Sequence, residues 1–254
     1  MLEVRDVTMR YGALAAVTRV SFIASPGDVL GYLGPNGSGK STTVKMIVGL
    51  LRPSGGTVLF DGVDIQERLL DYKAQVGYVP EEAHVYTYLT GPEYLRLVGR
   101  LRGIRPALLE AKIDRFLRLF GLDRDYHAAL TEYSKGMRQK ILLAAALLHN
   151  PRVVVLDEPE SGLDVATALV LRVVVRALAA DGRIVVYSSH HLETIEKIST
   201  RVIILRSGRV VADDSASQLR ALMQAPSLED VFAQLAVTQD TDQLAGELLD
   251  AVRL

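Results

Sequence analysis

Along the first thirty residues apolar and polar side chains alternate. Leu2, Val4 and Val7 are interleaved with Glu3, Arg5 and Asp6, and Val17, Val20 and Phe22 with Thr18, Arg19 and Ser21. A period of two predicts short, half-buried strands, here separated by a turn at Tyr11-Gly12. Further on, the polar partners vanish. Residues 29–33, 153–156, 184–187 and 202–205 are short apolar runs bounded by turn residues, which predicts strands covered on both faces. Helical spacing predicts helices over 40–51 and 165–180, and a turn at Pro53-Ser54-Gly55-Gly56 closes the first of them before a strand at 57–60 and an Asp61-Gly62 turn. Residues 209–211 form a last strand, after a hairpin turn at Ser207-Gly208.

Between about 88 and 150 the pattern changes to helical spacing over 93–101, 107–120 and 135–148, with scarcely a β-branched run. The fold class that follows is α/β: a mostly parallel sheet covered by helices, an N-terminal antiparallel β region and an inserted helical subdomain. The expected organisation is one domain over 1–254, with 1–87 and 151–225 as the core, 88–150 as the insert and 226–254 as a helical, acidic tail.

Composition narrows the classes without changing that picture. The chain has 254 residues, 49% of them hydrophobic and 23% charged, which suits a globular protein with a sizeable core. It contains no cysteine, so disulfides and cysteine-based zinc sites are excluded. The 29 basic and 30 acidic residues leave a net charge of −1, which argues against nucleic acid as a partner of the whole chain. No apolar run reaches the roughly 20 residues of a membrane span, and Met1 leads directly into charged residues. A soluble, intracellular chain is expected.

Gly34-Pro35-Asn36-Gly37-Ser38-Gly39-Lys40-Ser41 fits G-x-x-x-x-G-K-S between a predicted strand and a predicted helix. In that setting backbone N–H groups and a helix N-terminus form a phosphate cradle. Lys40 is expected to reach the β- and γ-phosphates, and Ser41 to give its hydroxyl to Mg²⁺. The run 153–156 ends in Asp157-Glu158, acids delivered to the mouth of a parallel sheet. Asp157 is expected to hold Mg²⁺ and Glu158 to polarise an attacking water. Tyr133-Ser134-Lys135-Gly136-Met137 opens another helix, with Ser134 as N-cap and Gly136 permitting close approach of an anion. This is either an ordinary capped helix or a second phosphate site completing that of another subunit.

In order and spacing these segments resemble the ATP-binding-cassette (ABC) family over most of the chain. Gly34 to Thr42 match its Walker A motif, 133–137 its signature, 153–158 its Walker B motif, Ser161-Gly162-Leu163-Asp164 its D-loop and Ser188-Ser189-His190 its switch-histidine loop. The resemblance implies ATP and Mg²⁺ as ligands, Tyr11 stacked on adenine and His190 at the γ-phosphate. It implies a head-to-tail dimer, homomeric or heteromeric, sandwiching two ATP molecules, with Asp164, Ser134 and Gly136 contributing there. It implies an ATPase at the cytoplasmic face of the membrane, working through a separate permease subunit. The late Ser227-Leu228-Glu229-Asp230-Val231-Phe232 and the Tyr-Ser-Lys-Gly-Met signature resemble subunits that drive exporters of drugs, antibiotics or lipids.

The sequence departs from the family pattern at three places. Lys135 and Met137 stand in the signature, Glu160 stands where a small Thr is usual, and Glu81 replaces the Q-loop glutamine. Glu81 is expected either to help hold Mg²⁺ or to pair with the permease; the second is favoured because Ser41 and Asp157 already serve the metal. Two other functions compete, a soluble ABC ATPase of DNA repair or translation and an ATP-binding regulatory module. The single Walker A and the lack of sustained heptads argue against the first, and intact Glu158 and His190 against the second. His190-His191 is not expected to bind metal, because adjacent side chains should diverge. His84, His127 and His149 are expected at the surface, and the basic run from Arg96 to Arg118 as a solvated helix face.

Overall fold

The computed structural model describes residues 1–82, 85–236 and 251. The alternating N-terminal segments become β1 (Leu2–Tyr11) and β2 (Leu14–Ala24), an antiparallel pair. Their alternation slips once. Leu2 and Val4 face the core, then Val7 and Met9, with the register shifting where Asp6 takes a left-handed φ of 47°. This is a bulge, and it explains why the apolar positions of β1 do not keep a strict period of two.

The chain continues through β3 (Val29–Leu33) into α1 (Lys40–Ile47). That helix is shorter than its apolar pattern predicts. Gly49 takes φ 71°, and the N–H groups of Gly49 and Leu50 bond back to the carbonyls of Met46 and Lys45, a glycine stop that overrides the spacing of Leu50 and Leu51. Then come β4 (Gly55–Phe60), β5 (Val63–Asp64), α2 (Leu69–Lys73) and β6 (Val76–Val79). The helical stretch holds α3 (Gly91–Leu101), α4 (Pro106–Leu119) and α5 (Lys135–Leu147). After it follow β7 (Val153–Asp157), α6 (Val165–Ala180), β8 (Ile184–Ser188), α7 (Leu192–Ile198), the hairpin β9 (Arg201–Arg206) and β10 (Arg209–Asp214), α8 (Ala216–Met223) and α9 (Leu228–Ala236). The hairpin turns on Ser207 and Gly208, both with positive φ. Of the expected acidic tail, Asp240, Asp242, Glu247 and Asp250 lie outside the described residues, as does His84.

Two sheets form the core, one of four strands in the order β2-β1-β4-β5 and one of six in the order β10-β9-β3-β8-β7-β6. In the second, β9, β3, β8, β7 and β6 run parallel, and β10 closes the edge antiparallel to β9. One apolar cluster fills the space around α1 between the sheets, and another lies under α5, α6, α7 and α9 on the opposite face. The helical stretch has its own core around Leu95, Leu109, Ile113 and Ile141.

The basic run on that stretch is more than a solvated face. Arg96 grips Glu110 with two bonds of 2.7 Å, stapling α3 to α4. Arg102 donates to the Lys73 carbonyl and Lys112 to that of Leu148 at 2.7 Å, tying the helices to the core.

His149 corrects the surface expectation. It is half-buried just beyond α5, its Nε2 3.0 Å from the Val76 carbonyl, while Nδ1 is buried without a partner. Protonation would place a second N–H where nothing accepts it. Burial, and then the nearby Arg102 charge, pull its pKa down to about 4. A histidine held neutral in the fold ionises more readily in the unfolded chain. Its share of stability is therefore complete above about pH 6.5 and is lost as pH falls from there towards about 4. His149→Gln keeps a donor to Val76 without a titrating ring. In urea denaturation it should lose about 1–2 kcal/mol less than the parent between pH 7.5 and pH 4.5; equal losses would show that His149 does not carry this acid sensitivity.

Candidate functional site

β3 ends at Leu33, and the glycine-rich turn delivers the chain to α1 with Gly39 as N-cap at φ 98°. The turn is braced by the β9–β10 hairpin, where the Gly208 N–H donates to the Ser38 carbonyl at 3.0 Å. Lys40 Nζ folds back to donate to the carbonyls of Gly34 at 2.5 Å and Pro35 at 3.2 Å. The loop opens on a cavity of about 1010 Å³, ample for a nucleotide.

The cavity gathers residues far apart in sequence. The loop residues Gly34, Pro35, Asn36, Gly37, Gly39, Lys40, Ser41 and Thr42 line it, with Glu81, Asp157, Glu158 and His190 opposite and Tyr11 at the rim. Tyr11 is 52% exposed, so its ring is free to meet a flat ligand. Ser38 is buried beneath the loop rather than in the cavity wall. Leu14, Leu192 and Phe232 also line the cavity and were missed in the sequence. For Phe232 the one signal was its motif near the C-terminus, which says nothing about where α9 packs.

The electrostatics are lopsided. Burial lowers the Lys40 pKa, with Glu158, Asp157 and Glu81 opposing that fall. Burial raises the Asp157 carboxyl, and the charges of Glu81 and Glu158 push the same way. Three carboxylates thus face one lysine, a balance that favours a bound cation. Glu158 sits at φ 49°, unusual for a residue with a side chain, and its Oε2 lies 2.8 Å from His190 Nδ1. Next to it, the rings of His190 and His191 approach to 4.2 Å. The expectation that they diverge is wrong, because the chain bends at His190, just beyond β8. No group of three or more metal-ligating side chains occurs among the described residues.

Ser134, Gly136 and Asp164 lie outside this cavity. Ser134 caps α5, accepting from the Met137 N–H at 3.2 Å. A Cβ on Gly136 would stand 2.3 Å from the Gly162 carbonyl, so glycine is required for the signature turn to pack on the 161–164 loop of the same chain. Asp164 caps α6, accepting from the Thr167 N–H at 2.8 Å and pairing with Lys140 at 3.3 Å. The Thr167 bonds come first in drawing its pKa down to about 2.

Comparison with known proteins agrees with this geometry. Residues 17–161 match the family model described as ABC transporter. The chain is 32% identical over 238 residues to the ABC transporter ATP-binding protein NatA of Bacillus subtilis (strain 168), covering 91% of this chain and 96% of that one. It is 31% identical over 256 residues to the Nod factor export ATP-binding protein I of Paraburkholderia xenovorans (strain LB400), covering 98% and 84% respectively. A solved structure of an ATP-binding subunit of an ABC transporter superposes with a TM-score of 0.87 at 32% identity, over 92% of this chain and 99% of that one. These relatives are named for transport, which does not favour a repair or translation ATPase. The chain belongs to the ABC transporter family, as an ATP-binding and ATP-hydrolysing subunit.

Proposed function

We propose that this ATPase powers export through a separate membrane-spanning partner, at the cytoplasmic face of the membrane, as one half of a head-to-tail pair. The observation that carries the reading is the convergence of Lys40, Asp157, Glu158 and His190 on the cavity below the glycine-rich loop. No helix among the described residues is long and apolar enough to cross a membrane. Leu50, Leu70 and Leu101 are 56%, 83% and 79% exposed around a groove between α1, α2 and α3, an apolar surface suited to that partner. The likeness to a Nod factor export subunit supports export as the direction. The helix start at Ser134, outside its own chain's cavity, supports a second copy or a related subunit that receives it.

Hydrolysis needs charge compensation more than covalent chemistry. Lys40 exchanges the Gly34 and Pro35 carbonyls for β- and γ-phosphate oxygens. Oxygen donors alone, Ser41, Asp157 and Glu81, suit Mg²⁺, and a site with three carboxylates and one lysine needs it before a polyphosphate can enter. Bound there, Mg²⁺ would neutralise charge on the β- and γ-phosphates. Glu158 orients the attacking water, and His190, its Nδ1 engaged by Glu158, keeps Nε2 for the γ-phosphate.

Lys40→Ala should weaken ATP binding about 10- to 100-fold in a fluorescent-nucleotide titration, the worth of one charge-assisted hydrogen bond. Unchanged affinity would move the phosphate site elsewhere. Glu158→Gln should instead retain ATP while kcat falls about 100- to 10,000-fold. Size-exclusion chromatography of that variant with ATP and Mg²⁺ should show a dimer, and strict monomer elution would count against the paired site. For Glu81, its place on the cavity wall beside Asp157 supports the metal over the permease contact. Glu81→Gln should raise the Mg²⁺ concentration for half-maximal hydrolysis about 3- to 10-fold, the range expected for one lost charge. An unchanged Mg²⁺ requirement together with lost transport would assign Glu81 to the partner.

A further inference from the structure

Glu160 is a largely buried charge, at a second cavity beside the first, that the hydrolytic reading does not use. Its side chain is 9% exposed and does not line the nucleotide cavity. Arg172 of α6 grips it through two parallel bonds, Nε to Oε1 at 2.8 Å and Nη2 to Oε2 at 2.7 Å. The Tyr187 hydroxyl, from the fully buried end of β8, donates to Oε1 at 2.8 Å. A carboxylate this buried needs such partners. Burial would raise its pKa, but the guanidinium and then the phenol hold it below the usual carboxylate range.

The place of this cluster in the chain gives it a second consequence. Glu160 follows Glu158 by two residues, and Tyr187 precedes His190 by three. The Glu160–Tyr187 bond and the His190–Glu158 contact at 2.8 Å therefore close a ring of two short chain segments. Inside the ring the Glu158 N–H donates to the Ser188 carbonyl at 3.0 Å. Outside it Gln139, itself buried, donates to the Pro159 carbonyl at 3.0 Å. Glu158 holds a left-handed backbone, which persists only where surroundings over-determine it. His190 is 72% exposed, so little packing of its own fixes it.

We propose that Glu160 is a positioning residue for ATP hydrolysis: with Arg172 and Tyr187 it closes the ring that holds Glu158 and His190 in register with each other. The inference rests on the reading of Glu158 and His190 as the hydrolytic pair. Arg172 sets the carboxylate, the carboxylate sets the Tyr187 hydroxyl, and the two segments that carry the pair cannot slide independently. Misplacement of a reacting group by about 1 Å can reduce a rate about a hundredfold, so a residue outside the cavity can act on kcat while leaving nucleotide binding to the loop.

The test compares full-length Glu160→Gln, Tyr187→Phe and the double variant in steady-state hydrolysis and in fluorescent-nucleotide binding. Glu160→Gln keeps the size but weakens the grip of Arg172. It should lower kcat about 10- to 100-fold with KM and nucleotide affinity within about twofold of the parent. Tyr187→Phe should act in the same direction but less, and the double variant should be no worse than Glu160→Gln, because both act through one ring. Thermal melts accompany each. If Glu160→Gln melts below the assay temperature, Tyr187→Phe, which deletes one hydroxyl, decides alone. A kcat within about twofold of the parent, losses of kcat and affinity in step, or multiplying effects in the double variant would overturn the proposal. Glu158→Gln run in parallel separates the two ideas: if it hydrolyses ATP like the parent, the hydrolytic pair itself is misassigned.

Discussion

The parallel register of β3, β8, β7 and β6 is the constraint on which the rest depends. Val29 pairs with Val185, Ile184 with Val153 and Val153 with Val76, so four strands end at one edge of the sheet. That edge receives the glycine-rich loop from β3, His190 from just beyond β8, Asp157 and Glu158 from β7, and Glu81 from just beyond β6. Strands about 4.8 Å apart spread these groups over roughly 14 Å, the scale of a triphosphate with its sugar. A slip of one residue in any of the four would turn a side chain such as Asp157 to the opposite face. β3, β7 and β8 are buried along their whole length, so both faces of each are packed.

Charge accounts for what that edge can accept. Lys40 is the cation at the loop, held by two carbonyls that a phosphate can replace. Opposite it, burial raises the Asp157 carboxyl, and the charges of Glu81 and Glu158 push the same way. Without a divalent ion that wall of carboxylates would oppose a polyphosphate. Under the proposed reading, ATP and Mg²⁺ would bind as two parts of one electrostatic balance.

Much of this was legible in the sequence because the relevant signals are local. A strand, a glycine turn and a helix in succession announce a phosphate loop, and an apolar run ending in two acids announces its partner. The buried strands read at 29–33, 153–156 and 184–187 needed only the absence of alternation. What stayed hidden needed tertiary information. The short helices α2 and α7 have too few residues for a period to be read. The surface reading of His149 failed because a lone ring gives no sign of the Val76 carbonyl it meets from another strand. The divergence expected of His190 and His191, on a strand or at its end, failed because the chain bends there and brings the rings to 4.2 Å. Phe232 reaches the cavity only because α9 packs on α7 and β9.

The two acidic departures from the family pattern show how one change of residue type takes its meaning from its surroundings. Glu81 and Glu160 both put a carboxylate near the end of a core strand. Glu81 turns to the cavity, where its charge reaches Lys40 and Asp157 and adds to an excess that only ligands can balance. Glu160 lies at a second, smaller cavity beside it, where Arg172 and Tyr187 balance it within the chain. The first charge therefore faces the nucleotide cavity, and the second faces partners of its own chain beside it. In the sequence they look alike, and the difference is made by Arg172, twelve residues on, at the point where α6 passes over the loop.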